Sequence, residues 1–255
     1  MRLNLRAAAA AAVLSLALAA AGAQTADEIL AKMDANQSYS SIGYSGRMEI
    51  TIGGQTRYKT MNAIAAGSTK AFSEFTNPED RGTRYLKLGK DLWIWFPKEQ
   101  DTVKISGHLL KEGMMGSDVS YEDALESGDF KAKYAASLKG RDKVGDRDCW
   151  VIELTAKAPG ELQKGISPAA YDRRVIWIDA ERFVGLKEEM YAKSGKLLKT
   201  SAVLEVTRLG ERWFPTKTEF ASKLRSETKT VFSMSKVEID APIDERRFTM
   251  AALSK

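Results

Sequence analysis

Residues 91–125 read DLWIWFPKEQDTVKISGHLLKEGMMGSDVSYEDAL, and a change of pattern inside this stretch decides the fold. Residues 92–96 form a strand dense in aromatic side chains, residues 97–100 turn, and residues 102–105 return as a second strand. There the β alternation stops. His108, Leu109 and Leu110, then Met114 and Met115, have short helical character, and residues 117–125 read as the start of a helix. Methionine is flexible and polarisable, so a Met pair beside a Trp-rich sheet suits a surface that adapts to an apolar guest. A sheet with a flap over it follows.

Upstream, Gly89-Lys90 turns the chain back into a strand at residues 83–88, and residues 70–76 precede it, with the break at Asn77-Pro78. Residues 44–52 and 55–65 flank Gly53-Gly54, a two-residue hairpin signal because both positions can take positive φ. Before them, Thr25 and Glu28 make a capping box for a helix that carries Ile29, Leu30 and Met33 on one face and runs out near Asn36. Downstream, strands at residues 134–144, 148–156, 173–179, 183–192, 197–208, 213–222 and 227–239 are joined mostly by short turns. The pattern predicts a mainly β protein built on a large curved antiparallel sheet, a half-open barrel of about 11 strands with a helical lid. A wide sheet curls, and its concave side must be filled. The N-terminal helix and the insertion at residues 107–130 are the candidates, with an apolar cavity expected to stay partly vacant beneath the insertion.

With 255 residues, 44% of them hydrophobic, the chain can build one sizeable core, and residues 24–255 are expected to form a single domain. Residues 1–23 read differently. Arg2 and Arg6 precede an apolar run at residues 7–20, and Ala21-Gly22-Ala23 is a small-x-small cleavage signal, so a secretory signal peptide cut before Gln24 is expected. The run of about 14 residues is short for a membrane span, which takes roughly 20. Cys149 is the sole cysteine, so no intramolecular disulfide forms and no lipidation cysteine stands at the cleavage point. The formal charge of +5 falls to +3 once Arg2 and Arg6 are removed, and basic and acidic residues are interleaved. That excludes a nucleic-acid footprint.

The segments ADEILAKMD (residues 26–34), LWIWFP (92–97) and GMMGSDVSYEDAL (113–125) carry a resemblance to the outer membrane lipoprotein-sorting proteins, the LolA-like group. GSDVSYEDAL is close to the GSDxSYEDL-type motif of an uncharacterised branch of that group. The resemblance implies a half-barrel with a helical lid and a soluble periplasmic carrier that shields acyl chains on their way to the outer membrane. It further implies lipid or lipoprotein acyl chains as cargo, with an inner-membrane lipid exporter and an outer-membrane acceptor as partners. A periplasmic sensor of the same fold, binding lipids or lipoproteins to regulate another protein, is the alternative.

A carrier must match the membrane, because each exposed CH₂ costs about 0.8 kcal/mol in water. The candidate lining of cavity and lid is Trp93, Trp95, Phe96, Leu109, Leu110, Met114, Met115, Tyr121, Trp150, Trp177 and Trp213. Ordinary core packing explains each of these side chains as well. Trp93 and Trp95 share one face of their strand and Leu92, Ile94 and Phe96 the other, and both faces are apolar. A hydrolase using Ser117 or Ser120 with His108, the sole histidine, is the third possibility. Helix capping accounts for those serines and their acidic neighbours more simply. One His and one Cys make no ordinary zinc site, no glycine-rich phosphate loop precedes a helix, and neither a cofactor nor an enzymatic activity is expected.

Overall fold

The computed structural model describes residues 24–126 and 130–255. The signal-peptide reading therefore lies outside the described residues.

Thirteen strands form one antiparallel sheet. They are β1 (Ser41–Ile52), β2 (Gln55–Ala66), β3 (Lys70–Phe75), β4 (Arg84–Leu88), β5 (Asp91–Phe96), β6 (Asp101–Ile105), β7 (Tyr134–Val144), β8 (Arg147–Ala156), β9 (Arg173–Asp179), β10 (Gly185–Tyr191), β11 (Leu197–Leu209), β12 (Arg212–Ser222) and β13 (Thr228–Ile239). Each corresponds to a strand segment marked out in the sequence, and the total is two more than the overall figure of about 11. Gly53 and Gly54 take φ of 55° and 79° in the β1–β2 turn, the conformation the hairpin demanded.

The order across the sheet is β6-β5-β4-β3-β2-β1-β13-β12-β11-β10-β9-β8-β7. The first and last strands of the chain pair at the centre, and the two wings grow outward from that seam. Their outer edges, β6 and β7, are consecutive in sequence. The connection between them must therefore lead from one edge of the sheet to the other, and its described part, residues 106–126, is placed to serve as a lid.

The start of β10 departs from the sequence reading. The strand expected from residue 183 begins at Gly185, because Phe183 sits at φ 51° in a turn. Asp179, fully buried, shapes that turn: its carboxylate accepts from the backbone N–H groups of Glu181 (3.0 Å) and Arg182 (2.9 Å) and from the guanidinium of Arg147 (2.9 Å).

The helix α1 (Ala26–Gln37) starts in the capping box of Thr25 and Glu28 and buries Ile29, Leu30 and Met33 against Tyr134, Ile152, Leu154, Ile176 and Ile178 on the β7–β9 wing. Each such side chain contributes about 1.5–3 kcal/mol on full burial. At its end Asn36 donates to the carbonyls of Arg182 (2.6 Å) and Phe183 (3.1 Å) and accepts from the N–H of Trp213 (3.1 Å). On the opposite side of the sheet, Phe248 and Leu253 of the C-terminal segment pack with Ile243 on Phe72, Leu86, Trp93 and Trp95. Among the described residues no helix is long and apolar enough to cross a membrane.

Candidate functional site

Residues directly opposite on paired strands point to the same face, so the register defines the concave surface. Ile94 pairs with Tyr85 and Val103, Phe75 with Met61, Met61 with Gly46, Met48 with Phe232, and Ile50 with Thr230. The same face continues through Phe220, Ser201 and Glu188 to Ile176 and Ile152.

Over the β1–β6 wing lies the lid: 3₁₀ turns at Gly107–Lys111 and Met114–Gly116, and the short helix α2 (Tyr121–Leu125). Gly113 is fixed by close approach, since a Cβ there would stand 2.0 Å from the Ser117 carbonyl oxygen. Leu109, Leu110, Met114, Met115, Tyr121 and Leu125 pack with Phe96 and Val103 on buried Met48, Ile50, Met61, Phe75, Tyr85, Leu92, Ile94 and Ile105. The Tyr85 and Tyr121 rings stack with centroids 6.2 Å apart. In this conformation the lid's own apolar side chains cover this part of the concave face. The recesses of about 690 Å³ at the β1–β2 and β12–β13 turns and about 510 Å³ beside the C-terminal segment are lined by other residues.

Polar side chains pin the lid. Asp118 is 3% exposed, and its carboxylate accepts from Thr230 (2.9 Å), Thr228 (2.7 Å), Arg225 (3.0 Å) and the Ser222 N–H (3.2 Å). Asp123 accepts from Tyr171 (2.7 Å), pairs with Lys199 and closes a capping box with Ser120. Glu126 pairs with Arg174 at 2.6 Å, and Lys87 donates to the Leu125 carbonyl at 2.9 Å. Burial opposes ionisation of Asp123, but the Lys199 charge and the hydrogen bonds from Lys199, Tyr171 and Ser120 outweigh it and hold its carboxyl below the usual range. Burial, reinforced by the charge of Lys133, pushes the Lys87 ammonium down.

The backbone hydrogen bonds of the lid close within it: Met114 N–H donates to Val119 (2.8 Å) and Tyr121 N–H to Glu112 (3.1 Å). Among the described residues, no backbone-to-backbone bond joins residues 107–126 to the sheet. The lid is a self-contained unit held by side chains.

The structure brings six of the sequence-derived candidates together: Phe96, Leu109, Leu110, Met114, Met115 and Tyr121 form one cluster. Trp150 lies on the concave face of the other wing, packed on the α1 cluster with the Arg141 guanidinium 3.3 Å from its ring centroid. The other four are placed elsewhere. Trp93 and Trp95 point to the convex face and are covered by the C-terminal segment, because strand alternation gives the concave side to Leu92, Ile94 and Phe96. Trp177 and Trp213 join Cys149, Val184 and Leu186 in a separate cluster, where the Trp177 indole N–H donates to Asp142 at 2.9 Å. Ser120 caps α2, the Ser117 hydroxyl bonds to Val119, and His108 is exposed.

Sequence reasoning missed the anchors Asp118, Asp123, Lys199, Arg174 and Thr230. A signal for one was available: in RRVIWID, Arg174 shares its parity with the apolar Ile176 and Ile178, a charge at an inward position.

An open antiparallel sheet of this fold recurs in solved structures of other proteins. The fold is shared with a DUF1329 family protein from Desulfovibrio piger (23% identity, 89% of this chain and 96% of that chain covered, TM-score 0.79). It is shared also with a proposed outer membrane lipoprotein-sorting protein domain from Vibrio parahaemolyticus (19%, 89% and 97%, 0.76) and a LolA superfamily protein from Nitrosomonas europaea (23%, 91% and 100%, 0.71). A family model whose description reads "uncharacterized protein" matches residues 67–255, and the chain belongs to that family. No curated protein matches it.

Proposed function

We propose that the protein is a periplasmic carrier that takes lipid or lipoprotein acyl chains into its concave face and moves them towards the outer membrane. In this reading residues 1–23 direct export and are removed, and residues 24–255 act as one half-barrel domain. An inner-membrane lipid exporter loads the carrier and an outer-membrane acceptor unloads it. The similarity to a lipoprotein-sorting domain supports the reading at the level of fold.

The observation that carries it is the lid. Six of its apolar side chains lie on an apolar sheet face while its backbone makes no ladder with that sheet. Hydrocarbon can replace those side chains at little net change in buried apolar area, and no backbone-to-backbone hydrogen bond described between lid and sheet has to break when the two separate. Phe96, Leu109, Leu110, Met114, Met115 and Tyr121 are the proposed contacts, with Trp150 at the far end of the same face.

The test is native mass spectrometry and lipid extraction of the protein purified from its own periplasm, joined to titration with a fluorescent fatty acid. Co-purifying acyl species and saturable, competable binding are expected. An empty protein that ignores the fatty acid overturns the reading.

A further inference from the structure

The lid places two kinds of group on the concave face, in two places. Apolar side chains lie over the β1–β6 wing, while the carboxylates of Asp123 and Glu126 lie on Lys199 of β11 and Arg174 of β9. These cations are each 7% exposed, and each stands 5.7 Å from the centroid of the Tyr171 ring, which lies between them. The sheet itself supplies Arg174 with a carboxylate from Glu188, whereas the carboxylate on Lys199 comes from the lid. Lys87, on the same face, donates a hydrogen bond to the lid carbonyl of Leu125. Lys59, the other buried cation of this face, is satisfied by Glu79 and Asp80 from outside the lid.

Withdrawal of the lid therefore uncovers more positive than negative charge beside an apolar surface. A cation left in such a place without a partner is strongly unfavourable, so whatever enters must compensate it. The closed lid behaves as an internal stand-in for that occupant, apolar at one end and anionic at the other.

We propose that the concave face binds an anionic amphiphile, whose chain replaces Leu109, Leu110, Met114 and Met115 and whose carboxylate or phosphate replaces Asp123 and Glu126 on Lys199 and Arg174. This rests on the carrier reading and narrows its cargo. Oxyanions suit the site because the guanidinium offers a planar fork and the ammonium a point charge at its side.

The experiment compares hexadecyl phosphate, hexadecanol and inorganic phosphate by calorimetric titration of the purified protein and of Lys199→Met. The phosphate amphiphile should bind at least about tenfold more tightly than the alcohol, as one or two charge-assisted hydrogen bonds imply, and the preference should fall to less than about threefold in Lys199→Met. Inorganic phosphate alone should neither bind nor compete. Should Lys199→Met not fold, the pair Lys199→Met with Asp123→Leu removes both charges at once and carries the same comparison. Equal binding of phosphate and alcohol, or a preference that survives the loss of Lys199, overturns the anionic cargo and leaves the carrier intact. Binding of inorganic phosphate with the same dependence on Lys199 overturns it in favour of a free-anion site. Failure of both amphiphiles to bind removes the carrier reading and this inference with it.

Discussion

Asp118 and Thr230 hold each other in both directions: the Asp118 backbone N–H donates to the Thr230 hydroxyl at 2.9 Å, and that hydroxyl donates back to the Asp118 carboxylate at 2.9 Å. The pair is 3% and 0% exposed and joins the lid to the central strand β13. Neither partner has water to fall back on. Thr230→Val, which keeps the shape and deletes the hydroxyl, should weaken lid attachment by about 1–3 kcal/mol. Amide exchange at residues 107–126 reads this, with Thr230→Ser restoring protection; unchanged exchange in Thr230→Val would mean that the clasp does not govern the lid.

Asp123→Asn removes the lid's charge from Lys199 and leaves a buried cation short of its partner. The lid should open more often, and fluorescence of the neutral dye N-phenyl-1-naphthylamine should rise with it. A dye response equal to that of the unaltered protein would rule out this pair as a latch.

The same pair sets an acid limit. The Asp123 carboxyl titrates lower in the closed lid than in an open one, so its contribution to closure is full above the ordinary carboxylate value and is lost as pH falls through the depressed one. Glu122, raised by burial, acts oppositely: its contribution is full at low pH and fades as pH rises through its raised value. Dye binding should climb as pH falls below about 4, where the contribution of Asp123 is lost. Asp123→Asn should flatten that climb, and an unaltered acid limb in the variant would assign it to other carboxylates.

Gly113→Ala puts a methyl group 2.0 Å from the Ser117 carbonyl oxygen, a backbone atom that cannot swing aside. The lid must deform, at about 1–3 kcal/mol. Exchange should rise within residues 107–126 while α1 keeps its protection. Wild-type protection in the lid would show that this turn relaxes freely.

The tryptophans offer a map of the occupied face. Among the five, Trp150 lies on the concave side, Trp93 and Trp95 on the convex side, and Trp177 and Trp213 in the cluster with Cys149. A brominated fatty acid should quench the fluorescence of the protein, and Trp150→Phe should remove most of that quenching. Trp93→Phe and Trp95→Phe should leave it in place; the reverse pattern would put the ligand on the convex side.

The strands from β1 to β13, the α1 capping box and the Gly53-Gly54 turn were legible because each is a local pattern, set by alternation, a four-residue cap or positive φ in neighbouring residues. The lid was legible as a place where alternation stops. Which face of β5 it covers was not, since Leu92, Ile94 and Phe96 are as apolar as Trp93 and Trp95. That choice was made by tertiary packing: the apolar side chains of the lid lie on the face of Leu92, Ile94 and Phe96, and Phe248 and Leu253 cover the other.

The sequence by itself determined the elements, their order and the presence of a flap, because those follow from neighbours a few residues apart. The tertiary structure decided that the flap lies on the β1–β6 wing and that Asp118, Asp123 and Glu126 fasten it to Thr230, Lys199 and Arg174. Those partners stand 48 to 112 positions apart, and an ion pair at that separation leaves no periodicity to read. Only folding brings the charges within reach of one another and excludes the water that would otherwise have screened them.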